Sequence, residues 1–274
     1  MKFKKLKKKL KREGKPIPGQ NPPGGISKRK KKQLKAKEYE TGLPQGYSAA
    51  LRVLLVGEGN FSFARALVRL LGGDGAGVVA TAYDSEEVVL EKYDDSEDPV
   101  SDILAEVMGA GADVQFDVDA TRLERTLQPR DGGKRLTPAD EFDRIAFHFP
   151  HAGLGIKDVA TNTRKNVELL AGFFRSALHV LKAKGEVHVT LKDGEPYSSW
   201  NVAGTAHRAT SGLLQLKRVL PFVTRAFPGY AHRRTLGFRD GLSKAENEEL
   251  QKGCKTYVFA VRPPEQGGGK LRKM

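Results

Sequence analysis

The run AFHFPHAGLG, Ala146–Gly155, sets His148 and His151 around Phe149 and Pro150 directly after the hydrophobic stretch FDRIAF. Imidazoles titrate near neutral pH and offer two distinct ring nitrogens, so this pair suits proton exchange or hydrogen bonding with a ligand. Phe149 can stack on a flat ring, and Pro150 stiffens the turn that presents it. Further along, TLKDGEPY pairs Lys192 with Asp193, a cation to stabilise charge on a carbonyl oxygen and a carboxylate to accept a proton. Plainer readings stand beside these: Phe149 as core, His151 as a cap, and KDG as ordinary turn chemistry.

A second cluster is VGEGNFSF. Gly57 and Gly59 allow a tight turn and close approach of backbone to a ligand, so Gly57, Glu58, Gly59, Asn60, Phe61 and Ser62 form a candidate nucleotide loop. Ser62 stands where the dinucleotide fingerprint has its third glycine. Asp84 closes VVATAYD and Asp119 closes FDVDAT, places from which acidic groups can hold ribose and adenine, although either could simply cap a helix. The ligand is then NAD or S-adenosylmethionine. In YAHRR, Tyr230, His232, Arg233 and Arg234 put cations beside rings, which suits an unstacked nucleic-acid strand or, more plainly, a solvated loop. His179 reads as a packed histidine on an apolar helix, His188 as a sheet residue and Trp200 as packing. No spacing of histidines and carboxylates suggests a metal site.

Bringing these residues to one edge requires an α/β fold, in which ligands sit at the carboxyl ends of parallel strands. LRVLLV, VVATAY, ADVQFDV, EFDRIAFHF and GEVHVTL predict five strands. Between them FARALVRLL, EEVVLEKY with DILAEVMGA, and NVELLAGFFRSALHVL have helical spacing, the last ending at LKAKG. A helical segment over Trp200–Ser211 precedes two more strands, LLQLKRVLPF and KTYVFAVR, about seven in all. Residues 229–253 predict a long polar loop.

With 274 residues, 39% of them hydrophobic, the chain can bury a sizeable core, read as one domain over 48–262. It has no long apolar window and no secretory h-region, which predicts a soluble intracellular protein. Cys254 is the only cysteine, excluding an internal disulfide. The net charge of +14 is concentrated: residues 1–40 hold 16 Lys or Arg against 3 Glu, leaving 31 against 30 elsewhere. Residues 1–47 therefore read as a basic disordered tail suited to RNA or a nuclear import receptor, or as a merely solvated arm, and residues 263–274 as a flexible end.

VGEGNFSFARAL, LEKY, DVDAT, FDRIAFHFPHAG, GEVHVTLKDGEPYSSWN, FPGYAHRRT and KTYVFAV, in this order over about 50–260, resemble the eukaryotic 25S/28S rRNA (uridine-N3)-methyltransferase family with its Rossmann-like Bmt5 domain. The resemblance implies a single class I methyltransferase domain, S-adenosyl-L-methionine as donor, uridine N3 of large-subunit rRNA or a preribosome as acceptor, and a nucleolar location. It places Gly57–Ser62, Asp84 and Asp119 at the donor and His148–His151, Lys192 and Asp193 at the base. The family usually has Asn where this chain has His148, so an amide is exchanged for an imidazole. Some larger relatives add an anticodon-binding-like domain, for which this chain ends too soon. The alternatives are a non-catalytic RNA-binding assembly factor with a vestigial cofactor site and an NAD-dependent oxidoreductase.

Overall fold

The computed structural model describes residues 43–95, 97–130, 132–133, 135–235, 247, 250 and 253–262. Most of the expected basic tail, the end at 263–274 and much of the loop between 236 and 252 lie outside the described residues. All elements below belong to the compact unit over residues 45–274. Gln45 and Tyr47, assigned from sequence to the tail, are buried in it.

Seven strands form one sheet: β1 Val53–Val56, β2 Val78–Thr81, β3 Asp113–Gln115, β4 Phe142–His148, β5 Leu181–Lys192, β6 Leu214–Phe222 and β7 Cys254–Val261. Their order is β3-β2-β1-β4-β5-β7-β6, parallel except where β7 runs against β5 and β6. Both neighbours of β1 are parallel to it, and the chain leaves toward opposite edges from β1 and β4. That reversal opens a crevice at their carboxyl ends.

Alternation along β1 explains the two core layers. Val53 and Leu55 pack on one face with α1 (Ser62–Leu70) and α3 (Val100–Gly109), beside α2 (Glu86–Tyr93). Leu54 and Val56 pack on the other with α4 (Val159–Ala177) and α5 (Val202–Ala209). Burial on both faces is why the strand reads as an unbroken apolar run.

The expected α/β architecture with seven strands is observed, with local differences. α4 begins at Val159 and ends at Ala177, not at the spacing of NVELLAGFFRSALHVL. Its first two turns are polar, so apolar periodicity misses them, and Asp158 caps them by accepting from Thr161 N. β5 starts at Leu181, absorbing LKAK, because Leu181 pairs with Phe142 across a register shift. Gly185 permits that irregularity: a Cβ there would lie 2.6 Å from Leu181 Cδ1 and 2.9 Å from the Phe142 carbonyl oxygen. β3 is shortened to three residues, and Asp117 just beyond it has φ of 57°. His179 falls past the end of α4 and is exposed, not packed. His188 and Trp200 are buried.

Candidate active site

At the crevice lies a cavity of about 660 Å³, lined from the ends of β1, β2 and β4, the turn before Leu123, α4 and residues 230–235. On its β1 side Gly57 has φ of 69°, and a Cβ there would meet Phe147 Cε2 at 2.7 Å. Glycine is required on both counts. Glu58, Gly59, Asn60 and Ser62 also line the cavity, whereas the Phe61 ring is fully buried against Phe116 and offers a ligand only its backbone. Ser62 Oγ donates to Asn60 Oδ1 at 2.8 Å and accepts from Ala231 N at 3.0 Å, tying the loop to the 230–233 segment.

Two further acids follow β2 and β3. Asp84 is paired with Lys92 at 2.8 Å, and both line the cavity. Asp119 accepts from Thr121 N at 2.8 Å and Thr121 Oγ1 at 2.7 Å and pairs with Arg122 at 2.8 Å. It therefore caps the turn at Ala120–Arg122 while facing the cavity. Tyr83, next to Asp84, exposes 70% of its surface at the rim. Sequence reasoning passed over it because an aromatic residue ending an apolar strand reads as core.

On the β4 side, His148 stands opposite Thr190 of β5, and its Nδ1 is 2.8 Å from Thr190 Oγ1. That hydroxyl contacts Thr256 Oγ1 at 2.9 Å, which accepts from Gln45 Nε2 at 2.9 Å. The His148 ring lies 4.1 Å from Phe63. Burial, with His188 and His232 nearby, pushes its pKa down to about 3, so the imidazole is neutral. Phe149 takes φ of 52°, lines the cavity and packs beside Phe222 and His232, while Pro150 is buried and does not reach the lining. His151 lines the cavity, and its Nδ1 accepts from Gly153 N at 3.0 Å. Partial burial and the nearby Lys192 lower its pKa.

Lys192 and Asp193 are not among the lining residues. Asp193 is exposed and paired with Lys255 of β7 at 2.8 Å, because β7 continues the sheet beside the end of β5. Of the YAHRR group, Tyr230, His232 and Arg233 line the cavity and Arg234 does not. Arg233 is no solvated cation: its side chain is 3% exposed and paired with Asp95 at 2.7 Å. Asn247 clamps the same segment, accepting from His232 N at 2.6 Å and donating to the Tyr230 carbonyl at 2.7 Å.

Asn166, buried on α4, was also missed. It accepts from Ala152 N at 2.8 Å and donates to Asn162 Oδ1 at 2.7 Å, and Asn162 in turn donates to the Ile156 carbonyl at 3.0 Å. These bonds staple the loop that carries His151 to the helix. A polar residue in the apolar half of a helix was the available signal.

This geometry agrees with the comparisons. The model of the family described as BMT5-like, rRNA (uridine-N3-)-methyltransferase, matches residues 54–234. The chain belongs to the BMT5-like family. An uncharacterized Arabidopsis thaliana protein is 33% identical over 216 residues, 78% of this chain and 94% of that protein. Heavy metal-associated isoprenylated plant protein 41, also from Arabidopsis thaliana, is 36% identical over 214 residues, but the match spans only 38% of it. The Saccharomyces cerevisiae 25S rRNA (uridine(2634)-N(3))-methyltransferase is 27% identical over 257 residues, 76% of this chain and 72% of the relative. The chain thus spans little more than a third of the isoprenylated plant protein and most of the other two.

The residues present fit a methyl donor of the nucleoside class. The cavity volume is in the range of small-ligand sites. Gly57 turns the backbone at the lining with a φ of 69°, and an exposed ring and two acids face the pocket from β2 and β3. No group of His, Cys, Asp or Glu among the described residues could hold a metal ion, and no described helix is long and apolar enough to cross a membrane.

Proposed function

We propose that this protein is an S-adenosyl-L-methionine-dependent rRNA methyltransferase that transfers methyl to N3 of a uridine in large-subunit rRNA. What supports this most is the meeting of the glycine loop of β1 and the HFPH wall of β4 around one cavity in a chain of the BMT5-like family. The donor supplies an activated methyl group on sulfur. The backbone of the loop Gly57–Ser62 holds its amino-acid part, and Asp84, Tyr83 and Asp119 bracket its nucleoside.

The protein's remaining work is alignment and exclusion of water. Phe149 and His151 hold an extruded uracil against the donor, while His148, neutral, presents no charge to it. The acceptor is rRNA or a preribosome in the nucleolus, and the basic residues 1–40 engage RNA phosphates or an import receptor.

The direct test is transfer of labelled methyl from S-adenosylmethionine to purified large-subunit rRNA, with mass spectrometry of the nucleosides. N3-methyluridine is the expected product. Labelled rRNA with another methylated nucleoside would move the target atom. A thermal shift with NAD and none with S-adenosylhomocysteine would sink the reading in favour of an oxidoreductase.

A further inference from the structure

Four carboxylates line the cavity, and three have a cation of their own. Asp84 has Lys92, Asp119 has Arg122, and Glu168 has Lys165, each at 2.8 Å. Glu58 has none within ion-pair distance among the described residues. Its contact is Ala64 N, which donates to Oε2 at 3.3 Å, a long bond that leaves most of its accepting capacity unused.

The groups around Glu58 do not neutralise it. Tyr230 and Tyr47 are buried phenols whose ionisation burial and Glu58 oppose. From β4, His148 is neutral. From the segment after β6, His232 shares a contact with Tyr230, and Arg233 is taken by Asp95. From α2, Lys92 is taken by Asp84. Burial accordingly pushes the Glu58 carboxyl up to about 7, the range in which a general base works best near neutral pH.

The other candidate bases are less suited. His148 has Nδ1 on Thr190 and a buried Nε2 without a hydrogen-bond partner among the described residues, but burial lowers its pKa to about 3, which makes it a weak base. The His151 Nδ1 lone pair receives Gly153 N–H, so that the neutral His151 ring keeps its proton on Nε2. Asp193 stands outside the lining, on Lys255.

We infer that Glu58 accepts the N3 proton of the target uracil. This rests on the uridine reading above. The N3 lone pair forms a bond to the methyl carbon as the carbon–sulfur bond breaks, and the electron pair of that bond stays on sulfur. The N3–H proton passes to a Glu58 carboxylate oxygen. The products are N3-methyluridine, S-adenosylhomocysteine and protonated Glu58, which returns its proton to water.

The experiment compares the full chain with E58Q and E58D by single-turnover transfer to rRNA between about pH 5.5 and 9, by calorimetry with S-adenosylhomocysteine, and by difference infrared spectroscopy of the carboxyl band. The wild-type rate should rise with pH to a plateau with an apparent pKa near that of Glu58, and the Glu58 infrared band should titrate with it. E58Q should lose about hundredfold or more in rate together with that limb. It should keep its affinity for S-adenosylhomocysteine, and E58D should recover part of the rate. Retention of most of the rate in E58Q overturns the inference. So does a loss of product affinity in step with the loss of rate, which would make Glu58 a ligand of the donor's ammonium group. If the wild type methylates rRNA at another atom, the uridine reading fails first and the inference falls with it.

Discussion

The two ends of the cavity are built by opposite electrostatic means. At the tips of β2 and β3, acids line the cavity with a cation held beside each. At the tip of β4 the polar group is His148, neutral and oriented by the Thr190 hydroxyl and by burial. Paired acids suit the hydroxyls of a nucleoside, and an uncharged wall costs a neutral ring little desolvation. Glu58 lies between, neither paired nor held neutral, which is why its protonation is adjustable.

The largest effect should come from breaking the buried Arg233–Asp95 pair behind this arrangement. Arg233→Met leaves Asp95, 12% exposed, without its cation and should cost about 3–5 kcal/mol in urea denaturation. Adding Asp95→Asn should return most of that, since the penalty is the stranded charge. A single variant as stable as the wild type would mean that the 230–233 segment is held mainly by Ser62 and Asn247.

Next is Gly57→Ala, which tests whether donor binding depends on the conformation of the Gly57 turn. The new Cβ meets the Phe147 ring at a φ of 69°, so affinity for S-adenosylhomocysteine should fall about hundredfold, or about 2.7 kcal/mol. Phe147→Leu in the same chain should restore part of it by removing the ring edge. Undiminished affinity in calorimetry would place the donor elsewhere in the cavity.

This contrast explains what was readable in the sequence. The strands, the glycine loop and the HFPH wall follow from local signals: apolar runs, a GxG turn, and a Pro beside aromatic residues. Asp84 and Asp119 could be located, but not their cations, because pairing with Lys92 and Arg122 depends on helix and turn geometry. Lys192 and Asp193 looked like site residues since they end a strand beside β4. Asp193 is instead drawn to Lys255 of an antiparallel neighbour, a partner distant in sequence. The YAHRR arginines read as phosphate-facing or solvated for the converse reason: nothing near Arg233 in sequence announces Asp95.

The neutral end should reveal itself by pH. His148 is pushed from its ordinary 6.5 down to about 3 and His188 to about 4, so the unfolded chain takes up protons below pH 6.5 that the folded one refuses. Stability from both histidines is present above 6.5 and is lost as pH falls, at about 1.4 kcal/mol per pH unit for each. Glu58 runs the other way. Its carboxyl is raised from 4.5 to about 7, so its protonation favours the fold as pH falls through that interval. Between about pH 6.5 and 5 the wild type should lose roughly 2 kcal/mol from these three groups, His148→Asn close to none, and Glu58→Gln about twice the wild-type amount. Urea melts at the two pH values check this. Equal losses in all three proteins would mean that the wall is charged or wet.

The smallest effect should follow from loosening the charged end at its surface. Arg122 exposes 61% of its side chain, so its pair with Asp119 is screened, and Arg122→Ala should cost under about 1 kcal/mol and change affinity for S-adenosylhomocysteine little. Thr121→Val removes a shorter bond at 2.7 Å from a less exposed site and should cost more in affinity, because Thr121, not Arg122, sets the direction of the Asp119 carboxylate. If the order were reversed in calorimetry, and salt weakened binding to the wild type as strongly as Arg122→Ala did, then long-range charge rather than oriented hydrogen bonding would govern this end of the cavity.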